Sequence, residues 1–254
     1  MAHKETDMPP RARLWDLPAA LVLLTRLPLP TLPDRAFDGA ARAVWAYPLV
    51  GLILGLIVAP LCYLLPATDL PDALTAGLVL GALIMLTGAM HEDGFADTAD
   101  GLWGGHDRAR RLDIMKDSRI GAYGVLALIL ALGLRWTAMA EVTWTGLVAA
   151  LIISRAMMVP LMCVMPHARE VGLSRQVGRA TTGPTIAAVL IAAVLSIALL
   201  GGHALWALII AAGVAGAMGL LARAKIGGQT GDILGATQIA TEIAVLVTLV
   251  ALGA

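Results

Sequence analysis

The densest chemistry in this 254-residue chain is acidic: seven of its eighteen carboxylates lie between Glu92 and Asp117. The stretch opens His91-Glu92-Asp93-Gly94-Phe95-Ala96-Asp97-Thr98-Ala99-Asp100-Gly101. On a helix that turns ~100° per residue, Asp93, Asp97 and Asp100 fall within a ~60° sector of one face. Three carboxylates so close repel one another unless a cation lies between them. Hard oxygen donors of this kind suit Mg²⁺, which also keeps waters and takes up substrate phosphate oxygens. The plain alternative is a solvated helix end, which needs neither this density of acids nor their register. Glu92 points about a quarter-turn away and would act behind the ligands. His91 is a candidate proton acceptor or orienting donor.

The same loop continues Met115-Lys116-Asp117-Ser118-Arg119-Ile120-Gly121-Ala122-Tyr123-Gly124. Lys116 would meet phosphate oxygens as a point charge, and Arg119 would meet them bidentately. Asp117 adds a further oxygen donor. Arg108, Arg110 and Arg111 are read instead as topology charges at the lipid headgroups. Further along, Gly227-Gly228-Gln229-Thr230-Gly231-Asp232 precedes an apolar run. Glycines beside a helix N-terminus let backbone N–H groups face an anion. Gly228, Gln229, Thr230 and Asp232 are therefore candidate substrate contacts, although Asp232 could equally be a plain helix cap. The stretch is not a Walker A loop, because the Gly-Lys-Ser/Thr ending is missing. Arg155 lies deep in an apolar run, where a charge needs a partner or a wet cavity. Arg26 sits close to Pro28 and could reach the same cavity.

The elements that must position these groups follow from composition. Hydrophobic residues make up 59% of the chain and charged residues 14%; soluble domains carry about 25% charged residues. This excludes an ordinary soluble domain. Continuous apolar runs and few aromatics argue against a membrane β-barrel. Zero net charge implies no bulk attraction to nucleic acid, and no nucleic-acid partner is expected. Cys62 and Cys163 lie in apolar runs and read as small hydrophobes.

Seven segments approach the ~20 apolar residues that cross a bilayer: Val44–Leu65, Ala73–Met90, Tyr123–Ala140, Trp144–Met165, Thr185–Leu200, Ala204–Ala222 and Leu234–Ala254. All Lys and Arg but Arg135 and Arg155 then fall on one side. The positive-inside bias places the N-terminus and long loops in the cytoplasm and the C-terminus outside. Leu14–Leu32, broken by Asp16, Arg26 and three prolines, reads as an interfacial or re-entrant helix. The expectation is an all-α, polytopic helical bundle: one membrane-embedded domain over residues 1–254, with the lipid bilayer as a partner and a homo-oligomer left open.

Thr25–Pro28, Tyr47–Gly51, His91–Gly101, Met115–Gly124 and Gly227–Gln238 together resemble the cobalamin 5′-phosphate synthase family, the adenosylcobinamide-GDP ribazoletransferases. The resemblance runs over the whole chain and implies a Mg²⁺-dependent enzyme of the bacterial inner membrane. It implies joining of α-ribazole, or its 5′-phosphate, to adenosylcobinamide-GDP with release of GMP, the ribazole 5′ oxygen attacking the corrinoid-side phosphorus. Asp93, Asp97 and Asp100 would hold the metal. Lys116, Arg119 and Arg155 would offset charge, and a carboxylate or His91 would take the proton. Two rivals share parts of the pattern. The CDP-alcohol phosphotransferases share Asp97-Thr98-Ala99-Asp100-Gly101, but the Ala-Arg pair and later aspartates of that family are missing. A cation transporter would need carboxylates near the bilayer midplane, and only Glu242 is deep.

Overall fold

A computed structural model describes residues 14–65, 67 and 69–254; Lys4, Arg11 and Arg13 of the topology argument lie outside them. Among the described residues the chain forms eleven α-helices. They are α1 (Asp16–Leu24), α2 (Tyr47–Leu64), α3 (Asp72–Thr87), α4 (Met90–Gly104), α5 (Arg108–Ile114), α6 (Ala122–Glu141), α7 (Trp144–Val164), α8 (Leu173–Val177), α9 (Thr182–Leu200), α10 (His203–Ile226) and α11 (Gly231–Leu252). Short 3-10 turns at Asp34–Ala36 and Ala40–Ala46 join α1 to α2. The all-α membrane bundle expected from composition is the architecture observed.

Six helices are long and apolar enough to cross a membrane, and α3 with α4 makes a seventh candidate as a pair bent by 88°. That bend corrects the sequence reading, which carried one helix on from the second span into the acidic cluster. Gly88 (φ 64°) and Ala89 (φ 56°) both adopt left-handed backbone, which ends α3. Glycine enters that region freely, but alanine is strained there. The break starts α4 in a new direction, so the acidic residues have a helix of their own. Within the described stretch Leu14–Leu32 the α-helix is Asp16–Leu24. Buried Asp16 holds α1 against the following turn by accepting from Arg42 (2.9 Å) and the Trp45 indole (3.0 Å).

α7 is the most enclosed span; sixteen of its residues are buried. It packs against α2, α9, α10 and α11. Small residues let these helices approach closely. On α9 the buried face is Ala188, Ala192 and Ser196; on α10 it includes Ala204, Ala207, Ala211 and Ala215. Their outer faces carry exposed Leu190, Val194, Leu205 and Ile209, the apolar surface that lipid covers. The tightest crossing is α2 on α7: a Cβ on Gly51 would sit well inside van der Waals contact of the Leu151 carbonyl. Nothing lies near a Cβ added to Gly133 on α6. Gly51→Ala should therefore cost about 1–3 kcal/mol through overpacking, whereas Gly133→Ala should be neutral or slightly stabilising. Thermal midpoints of both variants in one detergent check this; equal midpoints would remove the close crossing.

Candidate active site

The site begins where α4 crosses α11. A Cβ on Gly94 would lie 3.0 Å from the Asp232 Cα, and one on Gly235 would lie 3.3 Å from the His91 Cα. Two glycines thus bring the helix backbones together, and the acids of both helices meet. Asp93 and Asp97, one turn apart on α4, share an electrostatic neighbourhood with Asp232 at the start of α11. Arg169 enters from the α7–α8 loop and donates to Asp232 Oδ2 at 2.9 Å. Thr230 caps α11 by accepting from the Ile233 amide (3.2 Å), and its hydroxyl also donates to Asp232 (3.2 Å).

Around this crossing lies a cavity of about 260 Å³ lined by His91, Asp93, Arg169, Gln229, Thr230 and Asp232, among others. The loop that closes it is stitched to the glycine-rich stretch: Gln229 N–H donates to the Pro166 carbonyl (2.8 Å) and Ala168 N–H to the Gln229 carbonyl (2.9 Å). Gly228 makes that pairing possible, since any side chain there would run into the Pro166 carbonyl. Behind Gln229 a short polar relay runs through Ser174, whose hydroxyl donates to Gln229 Oε1 (3.0 Å) and contacts His167 Nδ1 (3.2 Å). Burial, together with Arg175 and Arg179, lowers the His167 pKa below the usual imidazole value. Three buried nitrogens among the described lining residues, His91 Nε2, Arg169 Nε and Gln229 Nε2, have no hydrogen-bond partner.

The expected metal triad is divided by the fold. Asp100 accepts from the Gly121 amide (2.7 Å) and the Gly124 amide (2.9 Å). The N-cap of α6 is a glycine with no side chain, so Asp100 caps that helix from α4. Glycine at 121 and 124 leaves room for the carboxylate. Asp232 takes the place beside Asp93 and Asp97 that the sequence reading gave to Asp100. These are hard oxygen donors, the class that suits Mg²⁺ with phosphate, and among the described residues Arg169 is their ion-pair partner, through Asp232. Among the described residues no group of three or more His, Cys, Asp or Glu is arranged to hold a metal ion.

The basic residues sort differently from the sequence expectation. Lys116, Asp117 and Arg119 are exposed and line no part of the cavity. Arg119 pairs with Asp117 at 2.8 Å, and that hydrogen bond holds the Asp117 carboxyl below its usual range. Arg108 and Arg111, read as topology charges, are structural: Arg108 Nε donates to the Ile226 carbonyl (2.8 Å) and Arg111 Nη1 to the Lys225 carbonyl (3.1 Å). They satisfy the C-terminal carbonyls of α10. The cation that reaches the acids is Arg169, a residue sequence reasoning counted only for topology. Its spacing to the glycine-rich stretch is set by the tertiary fold, and no local motif announced it. Arg26 lines an adjoining cavity, not this one.

Glu92 and Arg155 belong to a buried network. Arg135 donates to Glu92 (2.6 Å) and Glu242 (2.8 Å). Gln238 donates to Glu242 (2.6 Å) and to Ser154 (3.1 Å), and Arg155 lies 3.8 Å from Glu242. All of these side chains are buried, and Arg155 has no face on the cavity. Removing one partner of such a network leaves a bare charge, at about 3–5 kcal/mol. Arg135→Leu should therefore abolish the folded, monodisperse protein in detergent, and Arg135→Leu combined with Glu242→Leu should recover part of it. Size-exclusion profiles compare the two; a double variant no better than the single would show that Arg135 and Glu242 are not coupled.

The comparisons with known proteins agree in one direction. A family model described as cobalamin-5-phosphate synthase matches residues 16–250. A relative from Mesorhizobium japonicum named adenosylcobinamide-GDP ribazoletransferase is 43% identical over 242 residues, covering 93% of each chain. One of the same name from Bradyrhizobium diazoefficiens is 44% identical over 238 residues, 91% of each. Another from Xanthobacter autotrophicus is 44% identical over 251 residues, 92% of this chain and 94% of the relative. No solved structure matches. With α4 crossing α11 at its acidic cavity and the match running from α1 into α11, the chain belongs to the cobalamin-5-phosphate synthase family.

Proposed function

We propose that this protein is an adenosylcobinamide-GDP ribazoletransferase of the bacterial inner membrane, with its active site open to the cytoplasm. The observation that carries this reading is the α4–α11 glycine crossing, which gathers Asp93, Asp97 and Asp232 beside Arg169 at the N-terminus of a long helix. A diphosphate needs such a combination of cation, helix dipole and metal-binding acids. Names of the family's relatives supply the substrates. The nucleotide's phosphates lie against Arg169 and the α11 N-terminus. Asp93, Asp97 and Asp232 would hold Mg²⁺, which would supply charge neutralisation on the diphosphate.

In the reaction a ribose hydroxyl of α-ribazole forms a bond to the corrinoid-side phosphorus. The bond from that phosphorus to the GMP oxygen breaks, and GMP leaves with the electron pair. The hydroxyl proton passes to His91 or to a carboxylate of the cavity. The family description corrects the expected nucleophile. A cobalamin 5′-phosphate product keeps its 5′ oxygen esterified, so the attacking hydroxyl is another one on the ribose. Orientation and charge neutralisation dominate such transfers.

The direct assay is GMP release from adenosylcobinamide-GDP by the protein in liposomes, with and without α-ribazole. Release that does not depend on α-ribazole would overturn the reading. Asp97→Asn should abolish turnover while insertion persists, because it removes one anionic donor at constant shape; activity within about tenfold of wild type would take Asp97 out of the metal set. Arg169→Lys should cost on the order of 2–4 kcal/mol in kcat/KM, since Lys lacks the bidentate fork. Arg119→Lys should change little. A reporter fused after Ala254 should read as periplasmic and one inserted at Arg175 as cytoplasmic; both on one side would refute the crossing number.

A further inference from the structure

A second cavity of about 420 Å³ adjoins the first, and Leu23, Tyr47, Met90, Leu173 and Val177 line both. The two differ in chemistry. The first holds acids and three unpartnered buried nitrogens, on His91, Arg169 and Gln229. The threonines of the second are satisfied within their own helices: Thr25 donates to the Leu21 carbonyl (2.6 Å) and Thr87 to the Leu83 carbonyl (3.0 Å). Alanines and Leu23 form much of the remaining wall, with the polar side chains Arg26 and Gln176, both exposed, among the lining residues. Two aromatic rings line it, buried Tyr47 and Phe37, which is 43% exposed.

We propose that this second cavity binds the aromatic base of the acceptor nucleoside, so that it selects α-ribazole by its dimethylbenzimidazole. The inference rests on the transferase reading and adds a binding site to it. Two flat bases enter the reaction. Guanine carries a polar edge of donors and acceptors, which the buried part of this wall, alanines and internally bonded threonines, would leave unpaired. Dimethylbenzimidazole is apolar apart from its ring nitrogens and can stack on Phe37. With the base in the second cavity, the ribose lies along the shared wall at Tyr47 and Met90. Its hydroxyls then face the acids and Arg169 of the first cavity. The corrin macrocycle is too large for either space and stays at the mouth.

The experiment measures binding and turnover separately, using the full chain in nanodiscs. Calorimetric titration with α-ribazole reads binding, and GMP release reads the reaction. Phe37→Leu should weaken α-ribazole about tenfold in both Kd and KM, within the range for losing one apolar contact in a specificity pocket. KM for adenosylcobinamide-GDP should stay within about twofold. Phe37→Tyr, which keeps the ring, should retain most of the α-ribazole affinity that Phe37→Leu loses. Ala43→Val narrows the same cavity and should penalise α-ribazole more than the unmethylated benzimidazole riboside. Turnover in the wild type with α-ribazole affinity unmoved by both Phe37→Leu and Ala43→Val would overturn the assignment and leave the transferase reading intact. Binding that responds to these variants without GMP release would do the reverse. A rise in KM for adenosylcobinamide-GDP alone would place the corrinoid nucleotide in this cavity instead.

Discussion

Arg135 joins three helices by two hydrogen bonds. It donates to Glu92 at the start of α4 and to Glu242 in the middle of α11, from its own place on α6. In a hydrocarbon layer a charge must be matched where it lies, since neither water nor salt is there to screen it. The match therefore sets the depth and rotation of α4, a helix too polar to hold its place by apolar burial. Gln238, Ser154 and Arg155 extend the network to α7, the most enclosed span. The interior of this bundle is thus held by a nearly neutral set of two arginines and two glutamates.

Once α4 is held, the rest of the site follows from small residues. Gly94 and Gly235 bring two backbones into contact, and carboxylates from both helices share one space. The left-handed pair Gly88-Ala89 turns α4 away from α3, so the acidic face meets α11. Asp100, in the last half of the same helix, caps α6. One acidic helix therefore does three jobs along its length: it joins the buried network, lines the cavity and caps a neighbour.

The basic residues show the same division of labour. Arg108 and Arg111 bind the last carbonyls of α10, Arg42 holds α1 through Asp16, and Arg169 faces the acids. All four carry the same topological charge. Their chemistry differs only in what each guanidinium reaches, and a guanidinium at a helix end usually finds carbonyls.

Much of this was legible in the chain. Apolar runs and the one-sided distribution of Lys and Arg marked the spans, because the cost of burying polar groups in lipid is large and local. The acids of α4 and the glycine-rich start of α11 were visible because their types and spacing are local too. Asp93, Asp97, Gln229, Thr230 and Asp232 were all named from sequence, and they meet at one cavity or its edge. What only the tertiary structure decided was partnership. Asp100 is an acid in register with Asp93, yet two amides from α6 claim it. Arg119 stands beside a promising motif but reaches only Asp117, whereas Arg169, in an unremarkable loop, reaches Asp232. Glu92 and Arg155 are linked across helices through Arg135 and Glu242. A helical period fixes which side chains share a face; it carries no information on which distant helix that face meets, because helix crossings depend on packing across residues far apart in sequence.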